Sequence, residues 1–313
     1  MVILRRLLGL ALAVFVSSLL VFAFMQILPG DPARVALGLN ASEEAVARLR
    51  VEFGLDRPLP ERYLTWVGGL LVGDFGTSYL SRIPVGPQIV DRFGVTTWLV
   101  GAAMLVAVAL AVPLGTIAAW RHRHVSGALI SALSQIGMAI PSFLAGILLI
   151  ALFAVRLGWL PAGGWTPPAY DPEAFLRGLV LPALALGLVQ AAVLTRYVRS
   201  AVLDVLREDY LRTARAKGLR PLQALVRHGL RNAAIPVVTV LALQLTTMLI
   251  GAVVVERVFV VPGLGSLLLD AVFARDLLVV QDVVMVLVVA VIAVNLLVEV
   301  AYLLLDPRLT VRR

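Results

Sequence analysis

Six apolar runs, near residues 7–28, 97–119, 128–155, 178–195, 234–255 and 282–305, constrain what this chain can become. Their lengths run from 18 to 28 residues. About 20 residues of helix, at about 1.5 Å of rise each, cross the roughly 30 Å hydrocarbon core of a bilayer. The runs therefore predict an all-α polytopic membrane protein with six transmembrane helices. Composition agrees: 60% of residues are hydrophobic and 15% charged, where soluble domains are about half apolar and a quarter charged. The 313 residues divide into spans rather than into two soluble domains. Cysteine is absent, which excludes disulfides, thiolate metal sites and cysteine nucleophiles. The first run exceeds a signal-peptide core and no small-x-small cleavage site follows it, so it reads as an uncleaved first span after Arg5-Arg6.

Six spans return both ends to one side, and the charges test which side. With the N-terminus in the cytoplasm, the inner segments 1–6, 120–127, 196–233 and 306–313 hold sixteen Lys+Arg. The longer outer segments 29–96, 156–177 and 256–281 hold eleven. Fourteen of the nineteen acids fall outside when Asp282, at the start of span six, is counted there. Positive charge thus favours the inside, as membrane orientation requires. The formal charge of +8 is accounted for by that distribution, and no nucleic-acid partner is expected. The expected layout is residues 1–28 as cytoplasmic N-terminus and helix one, 29–96 as an extracytoplasmic segment, 97–305 as the transmembrane domain of helices two to six, and 306–313 as a cytoplasmic tail.

The outer segment is too long for a turn. NASEEAVARLRVEFGL predicts a surface helix with Ser42 as N-cap, Glu43 and Glu44 in the first turn and Gly54 at its end. The segment is either a folded cap or a docking surface for a soluble partner, and both can hold.

The stretch DYLRTARAKGLRPLQALVRHGLRN, Asp209 to Asn232, carries five arginines, a histidine and the only lysine of the chain. At about 2.5–3.5 kcal/mol each, those cations exclude it from the bilayer centre; it is an inner loop. Ala201 to Lys217 has helix-forming composition, Gly218 breaks it, and Pro221 suits the first turn of a second short helix toward Leu230. Around the corner lie the small residues Thr213, Ala214, Ala216 and Gly218, which let a partner's backbone approach while neighbouring arginines pair with carboxylates. The competing reading, arginines resting on anionic lipid head groups, explains the charge but neither the small side chains nor the helix–glycine–helix layout.

RTARAKG (Arg212–Gly218), followed by HGLRN (His228–Asn232), resembles the cytoplasmic signature loop of binding-protein-dependent ABC importer permeases. In that family the loop begins Glu-Ala-Ala, reaches Gly four residues later and seats in a cleft of the ATPase subunit. Here Arg212-Thr213 stand in place of Glu-Ala, Ala214 and Gly218 are kept, and the variant is similar to the dipeptide/oligopeptide/nickel branch. LPGDPA (Leu28–Ala33), Gly54–Ser78, Val260–Gln281 and DPR (Asp306–Arg308) are similar to the first of the two permeases of such systems. Arg231 stands where many related permeases have proline. The resemblance implies the type I ABC importer permease fold, with the extracytoplasmic insertion between helices one and two. It further implies a second homologous permease, two cytoplasmic ATPases, an extracytoplasmic solute-binding protein, and residence in the bacterial inner membrane. The ATPase-coupling loop is 196–233, with Arg212, Thr213, Ala214, Lys217, Gly218, His228 and Asn232 at the contact.

The chain shows no motor of its own. A phosphate-binding loop needs Gly-Lys-Ser/Thr, and Lys217 is flanked by Ala216 and Gly218. No catalytic residue, metal site or cofactor is expected here; ATP and Mg²⁺ belong to the partner ATPases. Glu299, with Asn295 a turn before it, reads as a helix-pairing residue rather than an ion relay. His122 and His124 read as a basic loop clamp rather than a metal pair. Polar residues recur along the spans: Ser131, Gln135, Met138 and Ser142 at spacings of 4, 3 and 4; Gln244, Thr247 and Gly251; and Gln190. Such stripes turn away from lipid, either as glue between helices or as the lining of a translocation path. Pro113, Pro141, Pro182 and Pro236 offer places to bend. The chain is expected to be a peptide-importing permease subunit. Nickel or a metal chelate, glutathione or another small solute are alternative cargoes, and an ion-coupled secondary transporter is the alternative mechanism.

Overall fold

The computed structural model describes residues 2–27, 30–38 and 40–305, with side chains from 8 to 297 within those bounds. Leu28 and Pro29 of the LPGDPA motif, the Asp306–Arg308 motif, the tail, and the side chains of Arg5, Arg6 and Glu299 lie outside the described residues. Among those described, no strand forms; Thr77 and Pro84 make an isolated bridge. Among the described residues five helices are long and apolar enough to cross a membrane: Leu8–Ile27, Val85–Trp120, Pro172–Leu206, Pro221–Val258 and Leu277–Leu297. The third apolar run is a bent pair, Val125–Ala139 and Ser142–Arg156, broken by 100°, which brings the number of spans to six where the pair is taken as one. The third apolar run is therefore not one straight helix. Ile140 takes extended backbone ahead of Pro141, as a residue before proline prefers, and Pro141 caps the helix that follows.

The chain forms two compact units, one of residues 1–96 and 262–293, the other of 97–261 and 294–313. In the first, α1 (Val2–Ile27) is followed by the short helices α2 (Pro32–Leu37) and α3 (Glu43–Glu52) and by α4 (Leu59–Val72). Ser42 caps α3 by accepting from the Ala45 N–H at 3.3 Å, and Glu43 and Glu44 occupy its first turn, as expected. Asp31 caps α2 and pairs with Arg50 at 2.7 Å, tying the two short helices around Ala33, Val46 and Leu49. A second core gathers Met25, the start of α5 (Val85–Trp120), Leu264 and Leu267 of the later α12 (Leu264–Ala274), and the first turns of α13 (Leu277–Leu305).

The second unit is organised by α8 (Pro172–Leu206), whose apolar window is 61% buried. Around it pack α6 (Val125–Ala139), α7 (Ser142–Leu149, continued by a π-helical turn to Arg156) and α11 (Leu230–Val258). The part of α5 from residue 97 onward approaches α8 where glycine removes the side chain. A Cβ on Gly187 would lie 2.8 Å from the Ala103 carbonyl oxygen, and one on Gly115 would lie 2.7 Å from Val198. Close backbone approach of this kind is how helices associate where lipid offers no hydrophobic drive. Pro113, Pro182 and Pro236 sit inside α5, α8 and α11 without ending them.

Candidate functional site

The basic segment is built onto the end of α8. Ala201, Val202 and Val205 are buried there, and the helix stops at Leu206, well before the Lys217 end expected from composition. Glu208 turns to extended backbone, and α9 (Asp209–Ala216) begins afresh. Leu211 is the buried residue of α9, 2% exposed, seated among Val202, Val205, Ala224 and Leu225. Ala214 is half-buried against the same core, while Arg212, Thr213, Arg215 and Lys217 are exposed.

The corner has a defined hydrogen-bond pattern. The Gly218 N–H donates to the Arg215 carbonyl at 2.9 Å and the Leu219 N–H to the Ala214 carbonyl at 3.3 Å. This reciprocal pair is a Schellman ending, which needs a left-handed residue at its turn; Gly218 has φ +92°. Nothing lies within 4 Å of where a Gly218 Cβ would sit. Glycine is needed there for its backbone, and the space beside it is open. Pro221 then occupies the first turn of α10 (Pro221–Ala224), as predicted, and Gln223 Oε1 accepts from the Arg220 N–H at 3.2 Å. The second short helix differs from expectation. Through a π-helical turn at Leu225–Gly229 it runs without interruption into α11, so that Pro221–Val258 is one helical stretch of 38 residues. Gly229 permits this seating, since a Cβ would lie 2.8 Å from Leu225 Cδ1, 3.0 Å from Val205 Cγ1 and 3.5 Å from Leu211 Cδ1.

From Asp204 to Asn232 the elbow holds seven Lys/Arg against three acids. Arg212 and Asp209 meet at 3.3 Å on the surface, an exposed pair that contributes little. Arg207, Lys217, Arg220, Arg227 and Arg231 are exposed, as are His228 and Asn232, whose Nδ2 donates to the His228 carbonyl at 3.5 Å. The elbow therefore offers small side chains and unneutralised cations on a frame fixed from beneath by Leu211, Leu225 and Gly229. Such cations can pair with carboxylates, and small side chains leave room for a backbone to approach.

The polar stripe positions separate into two groups. Ser131 is half-buried and its hydroxyl donates to the Gly127 carbonyl at 2.8 Å; Gln135 is exposed and Met138 half-buried. Ser142 lies beyond the 100° break, so these four do not share one helical face. Gln190 and Gln244 are buried within the chain's own helix packing, and Gln244 Nε2 has no hydrogen-bond partner there. Thr247 is exposed, its hydroxyl bonded to the Leu243 carbonyl at 3.0 Å. A Cβ on Gly251 would lie 3.1 Å from Leu186 Cδ1 and 4.0 Å from Ser142 Oγ, bringing α7, α8 and α11 together at that point. His122 Nδ1 lies 2.9 Å from the Ala119 carbonyl at the end of α5. Among the described residues, no cluster of three or more His, Asp or Glu could hold a metal ion.

Sequence reasoning treated Asp282 as an outer charge; the structure buries it. Trp66 Nε1 donates to Asp282 Oδ1 at 2.7 Å, and Ser78 Oγ donates to Asp276 Oδ2. Asp282 and Asp276 are 0% and 5% exposed. The local signal was an acid inside an apolar run; its partners, 216 and 198 positions away, had none.

Residues 1–100 match the family model described as the N-terminal part of the binding-protein-dependent transport system membrane component, and residues 111–311 match that of the binding-protein-dependent transport system inner membrane component. Similar proteins include the glutathione transport system permease protein GsiC of Salmonella paratyphi A (strain ATCC 9150 / SARB42), of Escherichia coli (strain K12) and of Shigella dysenteriae serotype 1 (strain Sd197). Each is 42% identical over 309 residues, which cover 97% of this chain and 97% of the relative. An all-helical multi-pass chain, matched over nearly its whole length and carrying the basic elbow, belongs to the binding-protein-dependent transport system inner membrane components, the permease subunits of ABC importers.

Proposed function

We propose that this permease imports a short peptide-like solute, glutathione or a di- or oligopeptide. The observation that carries the cargo reading is the full-length likeness to glutathione permeases. Glutathione is itself a modified tripeptide with free ammonium and carboxylate groups, so both readings name one chemical class. Solute arrives from an extracytoplasmic binding protein. A second, related permease completes the path, and one of two ATPase subunits seats on the elbow at 196–233. The excess of Lys+Arg on the segments assigned inward supports placing both termini and the elbow in the cytoplasm of a bacterial cell. Closure of the ATPases around ATP displaces α9, and the spans rock between outward- and inward-open states. The exposed Gln135 and Thr247 face the solute path on this reading, whereas the buried Gln190 and Gln244 hold helices together.

The test is uptake of labelled glutathione and a labelled dipeptide into proteoliposomes holding the assembled importer, with the binding protein added. Uptake that needs ATP and the binding protein is expected. Uptake by the permease without ATPase subunits, following a proton or sodium gradient, would replace this reading with an ion-coupled carrier. Uptake of a nickel chelate but of neither peptide-like solute would retain the importer and overturn its cargo.

A further inference from the structure

The segment between the first two spans helps to line an open cavity of about 820 Å³, walled by α1, α4, the loop from Asp74 to Arg82 and the first turns of α13. That size suits a small solute, for which sites of roughly 300–1,000 Å³ are usual. It is neither apolar nor indifferent to charge. Three arginines line it, and two already have partners. Arg82 pairs with Glu52 at 2.8 Å and lies 4.6 Å over the Phe53 ring. Arg57 pairs with Glu61 at 3.4 Å. Arg62 is half-buried and, among the described residues, its side chain makes no ion pair or hydrogen bond. A guanidinium with its donors uncommitted at a cavity wall is ready to accept a partner, and its planar fork matches the two oxygens of a carboxylate.

The same cavity has an aromatic wall, held from behind. Phe53 and Tyr79 lie 4.4 Å apart, ring to ring. Trp66, stacked on Phe22, has its indole N–H committed to the buried Asp282, and Ser78 is committed to the buried Asp276. The two acids thus act as positioning residues, fixing the indole and the loop that carries Tyr79. Among the described residues Asp282 Oδ2 and Asp276 Oδ1 have no hydrogen-bond partner, and so add acceptor capacity behind the wall. Burial pushes the Tyr79 hydroxyl up, and Arg62 and both acids lie within electrostatic reach of it.

We propose that this cavity binds the carboxylate end of a short peptide-like solute, with the carboxylate on Arg62 and the solute's carbon skeleton against Phe53, Trp66 and Tyr79. The inference rests on the cargo being peptide-like, and gives the permease a contact for it outside the spans. An anion that lacks a peptide backbone would use Arg62 alone and leave the aromatic wall idle, which is why a peptide-like ligand fits better than inorganic phosphate.

The assembled importer, in lipid nanodiscs and without its binding protein, is titrated with labelled glutathione, with glutathione dimethyl ester and with phosphate. Glutathione is expected to bind saturably. Arg62→Gln, which removes a side chain that holds no other group, and esterification are each expected to weaken binding tenfold or more. Arg62→Lys should restore part of the affinity. Trp66→Phe keeps an aromatic face but loses the anchor on Asp282, and should weaken glutathione more than phosphate. Equal binding by wild type and a correctly folded Arg62→Gln variant, or by acid and ester, overturns the proposal. Transport of glutathione with binding indifferent to Arg62 would leave the cargo reading standing and remove this site. Binding that depends on Arg62 in an importer that transports no peptide would do the reverse.

Discussion

Leu211→Ala tests whether α9 is held to the body by a single side chain. Leu211 is 2% exposed, packs with Val202, Val205 and Leu225, and is the buried residue of its helix. Truncation to alanine removes three carbons, about 2.4 kcal/mol of transfer free energy at about 0.8 per methylene. The cavity left behind raises the cost to about 3–5 kcal/mol. An eight-residue helix has no stability of its own in water. What remains to hold α9 is the half-buried pair Ala214 and Leu219, which cannot replace a loss of that size. The helix should undock, while the spans, whose packing is untouched, remain inserted. Hydrogen exchange reads this directly through the Gly218 and Leu219 amides, which are bonded to Arg215 and Ala214. Their protection should fall by roughly 150-fold or more, the equivalent of about 3 kcal/mol. In the assembled importer, solute moved per ATP hydrolysed should fall with it. Unchanged protection across residues 211–219 would refute the reasoning, because α9 would then be held by something other than Leu211.

Gly218→Ala should cost about 1 kcal/mol through its positive φ alone, with no clash inside this chain. Gly218→Trp should insert normally yet uncouple ATP hydrolysis from uptake; a tryptophan variant with unchanged coupling would remove the partner from that face. Gly187→Val must move the Ala103 backbone, whose oxygen lies 2.8 Å from the new Cβ, and should cost at least about 1–3 kcal/mol. An unchanged Tm of the detergent-solubilised chain would contradict the close approach of α5 and α8. Val260 holds φ +54° at the end of α11, a strained conformation for a β-branched residue, and its side chain is 76% exposed. Val260→Gly should therefore stabilise by up to about 1 kcal/mol, and a lowered Tm would show that the side chain packs in a way its exposure does not reveal.

Local rules succeeded where the physics is local. Ser42 as a cap, Gly54 and Gly218 at helix ends, and Pro221 in a first turn could be read because each depends on a few adjacent residues. Five spans could be read because an apolar run of sufficient length has few other ways to satisfy its backbone in lipid. The break in the third run was hidden by the same uniformity. Residues 128–155 are apolar on both sides of Pro141, and the chain carries prolines at 113, 182 and 236 that do not end their helices. Proline permits a bend; the surrounding packing decides whether one occurs. The end of α8 at Leu206 was missed because Arg207 and Glu208 are ordinary helix formers. The cavity was invisible for a different reason: its fixed points join Trp66 to Asp282 and Ser78 to Asp276, and no window of sequence contains such pairs.

The asymmetry of the elbow's two connections says how a push there would travel. Toward α8 the chain passes through Arg207 and the extended Glu208, a joint that can absorb a change of dihedral angles without unwinding a helix. Toward α11 it passes through the Gly218 turn, and Leu211 of α9 packs side-on against both helices, on Val202 and Val205 of α8 and on Leu225 and Gly229. From Pro221 to Val258 the backbone is helical throughout, about 57 Å at about 1.5 Å per residue. A force on α9 would thus reach the foot of a continuous rod through Leu225 and Gly229, and the end of α8 through Val202 and Val205. On the proposed function this separates two classes of variant that composition alone would merge. Enlarging Gly229, the contact through which the rod is pushed, should lower uptake while ATP hydrolysis continues. Substituting Gln135 or Thr247, exposed on the spans and remote in sequence from that contact, should change which solutes pass while leaving the ratio of uptake to hydrolysis as it was. If Gly229→Ala and Thr247→Val altered that ratio alike, the elbow would not be the place where force enters.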